Sequence, residues 1–137
     1  MIFIDTNIFL RHLTQDDPQK AKACLGLFKQ IEDGGVVAWT SDLAIAEIVF
    51  VLSSKRVNNY GYSRQQVSQI LLPLLSLKNL HIPSKGLYPR IFEIYVAQNV
   101  DFIDAYHAAL IEISQKSELY SYDRDFDKMA GIKRLEP

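Results

Sequence analysis

Residues 1–10 read MIFIDTNIFL, and the reading of the whole chain turns on Asp5. Four apolar residues run into a carboxylate, Thr6 and Asn7 follow, and apolar residues then resume. Residues 2–4 have the composition of a short buried strand, and residues 6–13 that of a helix. A carboxylate at that junction has two uses. It can cap the helix with its side chain, or it can stand at the carboxyl end of a parallel strand, where open α/β sheets place their sites.

The elements downstream favour an α/β chain. Asp17 and Pro18 form a helix start, N-cap followed by proline at the first helical position, and Gly34-Gly35 ends that helix. Residues 36–39 (VVAW) read as a strand, and Ser41 caps a helix running to about Arg56. VNNYGYS (57–63) is a loop whose Ser63 caps the next helix, bent or ended around Pro73. Strands are expected at 80–82, 119–122 and 132–135, and helices at 88–98 and 103–116. Strands alternating with helices predict a parallel sheet covered on both faces.

Three further acids stand in unusual company. Glu47 lies within LAIAEIVFVL, with Leu43, Ala44, Phe50 and Val51 at helical spacing. A carboxylate on an apolar face is costly unless a cation or donor meets it, so Glu47 is either half of a buried ion pair, with Lys55 or Arg56 as partner, or a site residue. Asp104 shares a helix face with Ala108 and Ile111; Asp101 one turn earlier reads as a cap. In YSYDRDFDKM, Asp123, Asp125 and Asp127 follow a strand directly, as a solvated acidic turn or as part of a site. Asp5, Glu47, Asp104 and Asp123 all fall at strand ends or on neighbouring helices. If they converge, their repulsion needs a cation to offset it. Oxygen ligands without cysteine or paired histidine select Mg²⁺ or Mn²⁺ over zinc.

The chain's 137 residues suit a single domain spanning 1–137. Cys24 is the only cysteine, which excludes an internal disulfide and a cysteine-based metal site. Asp5 and Arg11 interrupt the first apolar stretch, so no signal peptide is expected. Glu47 and Pro73 break the two most apolar segments, and no membrane span is expected. A cytoplasmic location is the default.

In order and spacing, DTN after the first strand, an inward Glu in the third helix, FIDAYHAAL and SYDRDF resemble the PIN domain, most closely the VapC-type toxin ribonucleases. The likeness covers nearly the whole chain, including its FDKMAGIKRLEP ending. It implies a three-layer α/β/α sandwich with a central parallel sheet, and a metal-dependent endoribonuclease. Asp5, Glu47, Asp104 and Asp123 take the family's four acidic places, and Asp125 a variable one that holds metal or a water. Thr6 or Asn7 would steady the first acid, and Ser121 fills the Ser/Thr place before the last. Mg²⁺ or Mn²⁺ is the implied cofactor, with Glu47 a ligand or the group orienting the attacking water. The implied partners are RNA, an antitoxin and a second copy of the chain.

The formal net charge of -1 does not by itself mark a nucleic-acid binder. The 16 acidic residues include the four candidates, so 12 remain against 15 basic ones. Lys20, Lys22, Lys55, Arg56, Lys128, Lys133 and Arg134 are then candidate phosphate contacts, and Tyr60 and Tyr62 could stack on bases. The rival readings are a signalling domain resembling a phosphoacceptor receiver, and a catalytically idle domain of the same fold that binds RNA or a protein.

Overall fold

A computed structural model describes residues 1–137, which divide into two compact units, Met1–Lys85 and Gly86–Pro137. The first unit holds three parallel strands, β1 (Ile2–Phe3), β2 (Ala38–Trp39) and β3 (Leu80–His81), paired in that order. Ile2 registers with Ala38 and Ala38 with Leu80. Helices α1 (Thr6–Thr14) and α2 (Pro18–Glu32) lie between β1 and β2 in the chain, and α3 (Asp42–Ser53) and α4 (Arg64–Leu75) between β2 and β3. The second unit holds α5 (Tyr88–Ala97), α6 (Phe102–Ile113) and a parallel pair of strands, β4 (Glu118–Tyr120) and β5 (Lys133–Leu135). A 3₁₀ helix, Arg124–Lys128, lies between those two strands. None of the six helices is long and apolar enough to cross a membrane.

Local chemistry accounts for the helix boundaries. Asp17, Ser41 and Ser63 each accept a hydrogen bond from a backbone N–H in the first turn of the helix they precede, as their side chains predict. Ser63 and Gln66 complete a reciprocal capping box. Pro73 lies inside α4, and the helix ends two residues beyond it, with Ser76 as C-cap. The expected extension of α3 to Arg56 does not occur. The chain instead folds back, and the backbone N–H groups of Tyr60 and Tyr62 donate to the carbonyls of Val51 and Leu52. Those carbonyls would otherwise be unpaired at a helix end, so the returning loop sets where α3 stops.

Each unit has its own apolar interior. In the first, Phe9 and Phe28 meet at 5.3 Å between ring centroids, and Ile31, Ile45, Ile48, Leu52, Leu71 and Leu80 are fully buried. In the second, Phe92 and Tyr95 of α5 each contact Phe102 at the start of α6. Arg90 clasps Glu112 with two hydrogen bonds of 2.8 and 2.7 Å. Glu118 and Lys133 stand in register on β4 and β5 and form an ion pair of 2.8 Å.

One expectation about burial needs correction. Residues 2–4 do not form a buried strand throughout, because Ile2 and Phe3 are about half exposed and Ile4 alone is buried. β1 is an edge strand of its three-stranded sheet, so one side lacks a paired neighbour. The chain has the expected α/β fold, six helices with parallel strands. Phe3 and Trp39 stay exposed and pack edge to face on each other at 4.8 Å.

Candidate metal centre

The first unit places its acids around the start of α1. Asp5 is the N-cap, and both the backbone N–H and the side-chain amide of Asn7 donate to its Oδ2 at 3.3 Å. The capping reading and the site reading are therefore compatible, since the cap engages one carboxylate oxygen. Just before it, the buried Thr40 at the end of β2 donates from Oγ1 to the Ile4 carbonyl at 2.8 Å. That bond fixes the end of β1 one residue ahead of Asp5. No motif in the sequence marks Thr40, and its neighbour Ser41, a strong cap, is the available signal.

Glu47 does not sit on a buried apolar face. It is exposed on α3, with Leu43 81% and Phe50 52% exposed one turn to either side. The ion pair with Lys55 or Arg56 does not form either. Arg56 lies over the Phe50 ring at 5.7 Å, and the partner of Glu47 is Thr6, whose Oγ1 donates to Oε2 at 2.8 Å. Thr6 thus bonds the second acid and Asn7 the first.

In the second unit, Asp104, Asp123 and Asp125 come together, each offering a carboxylate oxygen, all within 4.8 Å of one another. Asp104 projects from the first turn of α6 and is half-buried, with Ala108 buried and Ile111 half-buried along the same helix. Asp123 caps the 3₁₀ helix by accepting from the Asp125 backbone N–H at 2.9 Å, and its own N–H donates to Ser121 Oγ at 3.0 Å. Burial first, and then the charges of Asp123, Asp101 and Asp125, push the Asp104 pKa above its ordinary value, with His107 opposing. Three carboxylates and no cysteine or histidine make a donor set for a hard divalent cation. Mg²⁺ or Mn²⁺ would be held here by carboxylate oxygens. Lys128 Nζ lies 2.8 Å from Asp125 Oδ1 and offsets part of the repulsion.

The raised Asp104 pKa has a consequence for stability. Between its ordinary and raised values the folded state binds more protons than the unfolded one, so stability falls as pH rises through that interval. Above it the penalty is complete. Asp104→Asn should therefore melt higher than the parent at neutral pH in EDTA, by on the order of 2 °C. The two should converge below the carboxylate range, at about pH 3; thermal denaturation at both pH values checks this.

Several candidate phosphate contacts have other duties. Arg134 is 12% exposed and binds Asp127, Glu136 and the Ser121 carbonyl. It is therefore not a free phosphate contact: it holds the turn leading into Asp123. Lys133 is paired with Glu118. Tyr60 donates its hydroxyl to Asp16 at 3.0 Å, and its ring packs beside Tyr62. Lys20 pairs only loosely with Asp17, at 3.7 Å. It lines a cleft of about 440 Å³ with Asn7, Ile8, Arg11, Ala23 and Cys24.

Comparison with protein families gives a match to the PIN domain over residues 2–132. No curated protein matches the chain.

Proposed function

Because the chain belongs to the PIN domain family, whose members are generally metal-dependent nucleases, we propose that it is an endoribonuclease of the VapC toxin type. The observation that carries this reading is the cluster of Asp104, Asp123 and Asp125 in a chain whose family commonly uses divalent metal. Residues 1–137 act as one nuclease domain. Asp104 and Asp123 hold Mg²⁺ or Mn²⁺, with Asp125 as a further ligand once Lys128 moves aside. Asp5 contributes Oδ1, the oxygen not taken by Asn7. Glu47 contributes Oε1, as a ligand or by orienting the attacking water, while Thr6 holds its other oxygen.

When bound, the cation supplies Lewis acidity at the phosphate and lowers the pKa of the water nucleophile. The carboxylates set its position and, through their placement, the line of attack on phosphorus. The bond to the 3′ oxygen breaks, leaving 5′-phosphate and 3′-hydroxyl ends. Lys20, Lys22, Lys55 and Arg56 contribute phosphate contacts, so binding weakens as salt rises. As a toxin, the protein would act in the cytoplasm as a homodimer held inactive by an antitoxin.

Purified protein should cleave a labelled RNA in Mg²⁺ or Mn²⁺, stop in EDTA and resume when metal is restored. Undiminished cleavage in EDTA, or none with either metal, would end this reading.

A further inference from the structure

We propose that Thr6 is a positioning residue for Glu47, holding one of its carboxylate oxygens so that the other is presented to the site; this rests on Glu47 belonging to the metal-dependent centre. Glu47 is exposed in the middle of α3 between the exposed side chains of Leu43 and Phe50. A glutamate in such a place keeps most of its rotamer freedom unless something restrains it. The restraint comes from a residue 41 positions away, through the 2.8 Å bond from Thr6 Oγ1 to Glu47 Oε2.

Thr6 suits this task for three reasons. It is 6% exposed, so water competes little for its hydroxyl. It is β-branched, which stiffens χ1. It also occupies the first position of α1, where no preceding helical turn offers a carbonyl to take the hydroxyl proton, as happens in helix interiors. The tripeptide Asp5-Thr6-Asn7 therefore supplies one acid, the donor that holds a distant acid, and the donors that hold its own.

The test compares Thr6→Val, which keeps shape and loses the donor, with Thr6→Ser, which keeps the donor. Glu47→Gln and the Thr6→Val/Glu47→Gln double variant complete the set. Each is measured for Mn²⁺ affinity by electron paramagnetic resonance and for single-turnover RNA cleavage, with circular dichroism confirming the fold. A hydrogen bond to a charged group sets the scale at about tenfold. Thr6→Val should show a loss of about that size, in the same measurement that Glu47→Gln impairs. Thr6→Ser should recover to within about threefold, and the double variant should be no worse than Glu47→Gln alone. A folded Thr6→Val that matches the parent in both measurements while Glu47→Gln is defective would overturn the proposal. So would a Thr6→Val loss that adds in full to that of Glu47→Gln. A Glu47→Gln protein that binds Mn²⁺ and cleaves normally would remove Glu47 from the centre, and that arm alone reveals it.

Discussion

Asp104→Asn should reduce metal-dependent RNA cleavage by on the order of 10³-fold while leaving the protein folded. The substitution preserves size and one oxygen, so the packing beside Ala108 and Ile111 is undisturbed. What it removes is negative charge at a half-buried member of the carboxylate cluster. A cation at a phosphoryl centre supplies several kcal/mol of transition-state stabilisation, and about 1.4 kcal/mol is worth tenfold in rate. Losing most of that contribution gives the stated factor. The measurement is a single-turnover rate at saturating Mn²⁺, beside a melting curve in EDTA. Slower cleavage by a protein that melts higher without metal would show that Asp104 is retained at a cost to stability. A rate within tenfold of the parent would take Asp104 out of the centre.

The second large effect is expected at the other end of the chain. Asp5→Asn should also reduce cleavage by on the order of 10³-fold, by the same reckoning. This substitution is unusually clean, because asparagine caps helices about as well as aspartate. The side-chain carbonyl can still accept the Asn7 backbone N–H, and Thr40 still fixes the end of β1. Stability should therefore change little, and any loss of rate reports on charge. Single-turnover cleavage and thermal denaturation of the same preparation separate the two. A folded Asp5→Asn with normal activity would mean that Asp5 is a helix cap and nothing more.

The elements were legible in the sequence wherever a local rule dictated them. Ser41, Ser63 and the Asp17-Pro18 pair start helices because their side-chain and backbone preferences act over a few residues. The parallel strands followed from their alternation with helices. What escaped depends on residues far apart. The early end of α3 comes from Tyr60 and Tyr62 folding back onto it, and no local pattern encodes that return. From sequence Glu47 reads as facing the interior because its helix is apolar nearly all round, and periodicity cannot choose a buried face when both are apolar. Its partner Thr6 is 41 residues away.

The companions of the candidate acids are harder to read from the sequence than the acids themselves. Arg134 looked like a cation for phosphate, yet it bridges Asp127, Glu136 and the Ser121 carbonyl. The sequence leaves open which of Asp123 and Asp125 touches metal. In the structure both lie near Asp104, because Asp123 caps the turn that begins the 3₁₀ helix and brings Asp125 round beside it.

Titration of Mn²⁺ into the parent protein, Asp5→Asn and Asp104→Asn, followed by electron paramagnetic resonance, tests most directly whether acids from both ends of the chain serve one ion. The parent should bind Mn²⁺ in a defined site. Both variants should bind it at least about tenfold more weakly, as expected when a charged ligand is lost. Asp5→Asn binding as tightly as the parent while Asp104→Asn fails would leave the three aspartates of the second unit alone with the metal and contradict the shared centre.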